Sequence, residues 1–450
     1  MDEGPRRSGE DTIVSGAVTA SAVQVGMYVL GFVTSVLIAR GLGPAGRGGY
    51  YLPVTAGMAA VTMVHLSLEA ANTYFFAERR LSLSQLARNA SAVALFVGPV
   101  GVVLMFAFYL VTQESVFAGV GTLEFAIAAM ALPLQLHLLW FGGILQLAKR
   151  LSRAQKALFA GAVGQLGLVV VFALADELTV TTVLVAYAAS IAVPWALQLR
   201  VARGLVGIRP LFDGALARPV LSYALKLHVG MVFGFLLLRA DVFLIGYYLD
   251  TAAVGIYSLA VLFAELGLML TAPLAMAALP YQSETEIRPA GELSFRVARM
   301  NAVLALALAG TFAATLWLGI PVIYGERFGD AYAALVLLLP GVAALALSRP
   351  LVGWLVRQGR PWRMAAIAFG AFAMNLGLNV VFIPSMGITG ASLASSLSYI
   401  AFAGAFSLWG LRVNGSSARE SLVPRRTELA QISDVAGAYA RRLTARLRRA

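Results

Sequence analysis

Cysteine is absent from all 450 residues. Disulfide frameworks, thiolate metal sites and cysteine nucleophiles are therefore excluded. Charge is scarce as well: charged residues make up 12% of the chain against 60% hydrophobic ones, and mean hydropathy is +0.81. A soluble domain of this length with that balance would precipitate. A glycine-rich phosphate loop with lysine, a cluster of metal ligands and a serine, histidine and acid arrangement are all missing. Alternating apolar and polar ten-residue stretches are missing too, which excludes a membrane β-barrel. The connections are short, the longest being about 20 residues around Val201 to Ser222 and Pro280 to Arg299, so no segment folds as a separate soluble domain.

What is present is a series of long apolar segments. They are Val14–Ala39, Tyr50–Phe76, Ser91–Val111, Glu124–Leu147, Ala157–Leu174 and Thr181–Leu199, then Tyr223–Leu249, Ala253–Leu279, Met300–Leu318, Ala331–Leu347, Met364–Phe382 and Gly390–Val413. Roughly 20 helical residues at about 1.5 Å rise cross a hydrocarbon layer of about 30 Å. The expected class is an all-α integral membrane protein with about 12 transmembrane helices. The first run is too long for a signal-peptide core and is read as a retained helix.

Basic residues alternate between connections. One set holds Arg79, Arg80 and Arg88; Lys149, Arg150, Arg153 and Lys156; Arg200, Arg203, Arg209 and Arg218; Arg288, Arg296 and Arg299; and Arg357, Arg360 and Arg363. The other set holds only Arg40, Arg47 and Arg327, beside Glu114, Asp176, Glu177 and Asp250. By the positive-inside rule both termini are cytoplasmic. The net charge of +12 thus reports topology, and no nucleic-acid partner is expected.

The chain repeats itself. Leu37-Ile38-Ala39-Arg40-Gly41-Leu42 leads to Gly48-Gly49-Tyr50-Tyr51-Leu52, and Leu244-Ile245-Gly246-Tyr247-Tyr248-Leu249 leads to Gly255-Ile256-Tyr257-Ser258-Leu259 at the same spacing. Gln165-Leu166-Gly167-Leu168 matches Asn375-Leu376-Gly377-Leu378, and Arg150 and Arg153 match Arg360 and Arg363. The expected organisation is a cytoplasmic tail over 1–13, an N-lobe over 14–199, a linker over 200–222, a C-lobe over 223–413 and a cytoplasmic basic tail over 414–450. Six spans per half give two parallel lobes, a plan used by transporters with a central cavity.

Ionisable residues inside such spans are costly and mark pathways or partners. Arg239 lies about 15 Å from the end of its span. Asp241 projects to a different side of the same helix, while His228 shares a face with Arg239 and Lys226 lies nearer Asp241. Glu265 sits mid-span on the next segment. Thr62, His65, Glu69 and Asn72 form one polar stripe, and a histidine four residues before a carboxylate suits proton exchange. Packing roles compete at every one of these positions, above all at Gln24, Gln135, His137, Gln165 and Asn375, because polar side chains also stitch membrane helices together. Arg239, Asp241, Lys226, His228 and Glu265 are taken as candidate substrate contacts. His65, Glu69, Asn72, Gln24 and His137 are candidate coupling or cavity-lining residues. From Leu429 the tail reads as a basic amphipathic helix suited to anionic inner-leaflet lipid.

Leu42-Gly43-Pro44 with Gly46-Arg47-Gly48-Gly49-Tyr50, and Arg239-Ala240-Asp241 with Leu244-Ile245 and Val254-Gly255-Ile256-Tyr257-Ser258, resemble polysaccharide flippases of the multidrug/oligosaccharidyl-lipid/polysaccharide exporter superfamily. The resemblance implies a bacterial inner-membrane carrier with two six-helix lobes around a cationic cavity. It implies that the carrier moves undecaprenyl-pyrophosphate-linked glycans, and the flanking partners would be glycan-assembly enzymes. No cofactor and no enzymatic activity are expected. A multidrug or cation antiporter of the same superfamily is the alternative.

Overall fold

The structure is a computed structural model describing residues 4–207, 209–284, 286–424 and 428, with side chains from residue 23 onward except at 216, 280, 283 and 284. The basic amphipathic segment expected from Leu429 lies outside the described residues. Among the described residues regular structure is helical throughout, as the hydropathy demands, because a backbone in hydrocarbon must close its own hydrogen bonds.

Helix α1 (Gly4–Val64) is two spans joined at a bend. The bend sits at Gly43, whose φ of 67° suits a residue without a Cβ, and Pro44 follows with no N–H to donate. A second break, at residues 65–67, separates α1 from α2 (Leu68–Ala77). Leu66 and Ser67 both take left-handed backbone there, with φ of 56° and 50°. The first-half series continues with α3 (Leu83–Thr112), α4 (Thr122–Met130), α5 (Leu132–Leu147), α6 (Leu151–Leu174) and α7 (Val180–Arg203). Ser82 and Thr179 start α3 and α7 with reciprocal capping boxes. Then come α8 (Gly214–Tyr248), α9 (Thr251–Glu284), α10 (Ile287–Tyr324), α11 (Ala331–Leu355), α12 (Pro361–Met386), α13 (Ile388–Asn414) and the short α14 (Ala418–Leu422). Among the described residues, eleven stretches are long and apolar enough to cross a membrane. The first of them, Val23–Val64, contains the Gly43 bend, which reconciles eleven with the dozen segments legible in the sequence.

The chain forms two compact units. The first comprises Met1–Ser258 with Pro321–Gly329, and the second Leu259–Ile320 with Asp330–Ala450. The division falls after Ser258, about two turns into α9, whereas the sequence suggested a joint over 200–222.

In the first unit, α6 and α7 approach closely where Gly161 faces the Ser190 carbonyl and Pro194. Small residues drive such contacts in lipid, where burial of apolar surface gains little. Tyr109 stacks on Phe125 with ring centroids 4.3 Å apart, and Phe117 packs edge-on against both Phe125 and Phe108. The second unit is built on Phe295, Trp354, Phe406 and Trp409, with the Arg363 guanidinium 4.7 Å above the Trp409 ring. Asn375 donates to the Ser395 hydroxyl at 3.1 Å, which ties α12 to α13, and Asn379 donates to the Asn375 carbonyl at 2.9 Å within α12. One member of the repeated Gln165/Asn375 pair is therefore a stitch between helices.

The sequence repeat meets itself in the first unit. A Cβ on Gly48 would run into the Thr251 carbonyl, and a Cβ on Gly255 would run into the Pro44 carbonyl. Gly48 and Gly255 are equivalent positions of the two copies, as are Pro44 and Thr251. The contact is thus reciprocal about a pseudo-twofold, and only glycine lets the two backbones come that near. Substituting Gly48→Val or Gly255→Val should destabilise the protein by at least about 1–3 kcal/mol through overpacking. A lower melting temperature in detergent is the expected result, and Gly31→Val, at a position with nothing nearby, should leave it close to wild type.

Candidate functional site

Immediately after the Gly43 bend, Arg47 is buried at 6% exposure. Its Nε donates to the Ser258 hydroxyl at 2.7 Å, and Nη1 donates to the Ser35 carbonyl and hydroxyl, both at 3.0 Å. The guanidinium lies 5.9 Å from the centroid of the Tyr324 ring. Arg40 donates from Nε to the Ile323 carbonyl at 2.7 Å and from Nη2 to the Val322 carbonyl. Those are orphan acceptors at the C-terminus of α10, a position where cations are favoured. Two guanidinium forks therefore clasp both limbs of α1 to α9 and to the end of α10. Sequence reasoning counted Arg40 and Arg47 only as connection charges. The overlooked signal is the glycine run Gly46, Gly48 and Gly49 around Arg47, which admits neighbouring backbones closely enough to bury it.

On α8, Arg239 and Asp241 are buried at 8% and 1% exposure. Asp241 accepts from the Tyr257 hydroxyl at 2.5 Å and from the Val242 N–H at 2.9 Å. It thus pins α8 to α9 across their connecting turn. Lys226 is exposed, and Glu265 is half-buried on the part of α9 that belongs to the second unit.

His228, also on α8, meets the break between α1 and α2. Its Nε2 lies 3.0 Å from the Met63 carbonyl and its Nδ1 lies 3.3 Å from the Ser67 hydroxyl. In the neutral ring, Nε2–H donates to the carbonyl and Nδ1 accepts from the hydroxyl. The break frees backbone groups that lipid cannot satisfy, and His228 supplies a donor for one of them. His65 packs edge-on against His228 at 5.0 Å between centroids. Its Nδ1 is 2.9 Å from the Thr62 carbonyl and therefore carries the proton, so Nε2 points toward the Met231 sulfur at 3.2 Å and Glu69 Oε1 at 3.6 Å. Two facing lone pairs repel, so a proton on either His65 or Glu69 makes this pair attractive.

The remaining candidates are spread out. Asn72 is buried on α2, and Gln24 is half-buried on the first limb of α1. His137 on α5 accepts at Nδ1 from the Trp195 indole N–H at 3.4 Å. Gln135 donates to the Tyr187 hydroxyl at 2.6 Å, a link between α5 and α7. The structure thus brings His65, Glu69 and His228 together, places Arg239 and Asp241 further along α8, and sets His137 and Gln24 apart from both groups.

Helical spans, a twofold repeat and buried charges at helix breaks define a membrane transporter class. The chain matches the polysaccharide biosynthesis protein family over residues 13–286. It belongs to that family. No curated protein sequence matches the chain. Solved structures share its fold. An inward-facing multidrug resistance MATE family transporter of the MOP superfamily superposes with a TM-score of 0.68 at 14% identity, covering 89% of this chain and 98% of that one. The lipid II flippase MurJ, in an inward closed conformation, gives 0.69 at 12% identity over 88% and 90%. A MOP superfamily transporter from Pyrococcus furiosus, described as having a binding pocket of reverse polarity, gives 0.61 at 15% identity over 90% and 96%.

The clasp predicts a change in accessibility. With Thr55→Cys as reporter, buried at 1% exposure in a chain otherwise free of cysteine, Arg47→Ala should speed modification by a membrane-permeant thiol reagent several-fold. Arg47→Lys should restore only part of the protection, because an ammonium does not reproduce the guanidinium fork. Equal labelling rates in all three proteins would rule out the clasp as a barrier.

Proposed function

We propose that this protein moves a lipid-linked oligosaccharide across a bacterial inner membrane by alternating access, for the synthesis of cell-surface polysaccharide. Membership of the polysaccharide biosynthesis family supports the substrate class. The observation that carries the reading is Arg239, a guanidinium buried at 8% exposure in the middle of a long apolar helix. A pyrophosphate linkage needs fixed positive charge in a shielded site, and the guanidinium fork engages two oxygens at once. Lys226 on the same helix adds to that charge on the approach to Arg239, the neutral His228 ring offers hydrogen bonds there, Asp241 holds α8 in place through Tyr257, and Glu265 contributes acidity on α9. His65, Glu69 and Asn72, with Gln24 and His137 beside other spans, serve coupling. The undecaprenyl tail stays in lipid while the sugars cross through protein. Glycan-assembly enzymes are the natural partners on the side where the substrate is made.

In this topology the Gly43 bend and the Arg40/Arg47 clasp face the outside and the break at 65–67 lies in the inner half of its span. Both termini are cytoplasmic. Single cysteines test the assignment: Ser115→Cys should react with an impermeant maleimide in intact cells, and Ser152→Cys should react only after permeabilisation.

The transport reading is tested with purified protein in liposomes loaded with a prenyl-pyrophosphate glycan. Charge-assisted hydrogen bonds contribute about 1.5–3 kcal/mol each, so Arg239→Ala should slow translocation by roughly tenfold to a hundredfold, with Arg239→Lys in between. Translocation absent from the wild type, or unchanged in Arg239→Ala, would overturn it. The fold shared with multidrug MATE transporters supports a second reading as a drug or cation antiporter. Dye efflux driven by an ion gradient, with no glycan movement, would favour that one.

A further inference from the structure

Arg349, in the second unit, carries a charge inside a span that its own contacts do not account for. It lies on α11 directly before Pro350, within a stretch long and apolar enough to cross a membrane. It is exposed, while Ser348 and Pro350 on either side of it are buried. Its Nη1 donates to the Leu268 carbonyl of α9 at 2.7 Å. Among the described residues that is its only hydrogen bond, and no acidic side chain pairs with it. Arg299 of the same unit is the contrast: 4% exposed, it spends its fork on the Glu428 carboxylate and on the Ser421 carbonyl at 2.7 Å.

The fold has no need of the one bond Arg349 makes. The Leu268 carbonyl also accepts from the Thr271 hydroxyl at 2.9 Å. Pro350 removes a donor from α11, but the Ala346 carbonyl, four residues back, receives Asn301 Nδ2 at 3.2 Å instead. The backbone groups around Arg349 are therefore served by other side chains, and a structural reason for a cation at this position is lacking.

The side chain is also held inward. A long cationic side chain near a helix end ordinarily snorkels to the headgroups. Arg349 instead leans toward the N-terminus of its helix, as helical side chains do, and reaches Leu268. That residue lies roughly 16 Å before Leu279, where the apolar stretch of α9 ends. Val342 precedes Arg349 by about two turns on the same face of α11, and it is buried beside α9, where a Cβ on Gly267 would lie 3.7 Å from its Cγ1. The exposed surface of Arg349 therefore opens on the side of α11 that faces α9. A bare guanidinium within the bilayer is costly, so an open fork on a protein-facing side marks a place where an anion enters.

We infer that Arg349 binds a phosphate group within the membrane, supplied either by a transported lipid-linked substrate or by an anionic phospholipid. With Nη1 tied to Leu268, the edge formed by Nε and Nη2 is free, and that edge matches two oxygens of a phosphate. The bond to Leu268 thus serves to aim the fork. This gives the second unit an anion contact of its own, on a different helix from Arg239. The inference rests on the transport reading only for the first of the two sources, and binding is measured without any glycan, so its failure is separable from failure of that reading.

The test is thermal unfolding of the full-length protein in detergent, in an Arg239→Gln background so that Arg239 contributes nothing to the readout. One arm titrates sodium pyrophosphate against sodium chloride at equal ionic strength, and the other titrates phosphatidylglycerol against phosphatidylcholine in mixed micelles. A saturable rise in melting temperature is expected in one arm. Its apparent affinity should weaken by roughly tenfold or more in Arg349→Gln, which keeps a donor for the Leu268 carbonyl but loses the charge. Arg360→Gln, which removes an equal charge elsewhere on the second unit, should leave it unchanged. A response to pyrophosphate identifies the substrate as the source, and a response to phosphatidylglycerol alone identifies the phospholipid. Arg349→Lys, with the charge but not the fork, should fall in between and serves if Arg349→Gln does not fold. No saturable rise in either arm, or an equal rise with and without the Arg349 substitution, overturns the proposal.

Discussion

A peptide group in hydrocarbon has no water to turn to, so a membrane helix can be interrupted only where other parts of the protein take over its hydrogen bonds. The first unit interrupts its helices at two places on the α1–α2 path, the Gly43 bend and the break at residues 65–67. Polar side chains gather at both interruptions. Arg40 and Arg47 flank the first and reach the end of α10 and Ser258. His228 meets the second through Met63 and Ser67. The polar chemistry of the unit is concentrated where the backbone departs from helix, and the rest of it follows from that restriction.

Close backbone approach is the second condition. Gly48 and Gly255 permit a reciprocal crossing of the two repeat copies, and that proximity buries Arg47 among acceptors it would otherwise not reach. A guanidinium in so dry a place is tolerable because three of its hydrogen bonds are made within the protein. Asp241 follows the same rule with Tyr257 and the Val242 N–H. Removing one partner from either arrangement would strand the other.

Glu69 stands at the second interruption, one carboxylate oxygen 3.6 Å from His65 Nε2. The spacing of His65 and Glu69, one helical turn apart, set up that pair in the sequence, but the break at Leu66 and Ser67 reshapes it by turning the chain between them.

Hydropathy and charge placement in the sequence determined the class and the number of spans, because lipid imposes those patterns on each segment separately, and matching motifs showed the repeat. They also picked out Arg239, Asp241, His65, His228 and Glu69 as residues whose position demands an explanation. The sequence missed the burial of Arg47. A residue near the end of a span reads as interfacial until its neighbours are known. Whether such a side chain meets water, lipid or another helix is decided by how near two backbones come. That distance depends on pairs of residues far apart in the chain, such as Gly48 with Thr251, or Gly142 with Gln198, and only the tertiary structure brings them together.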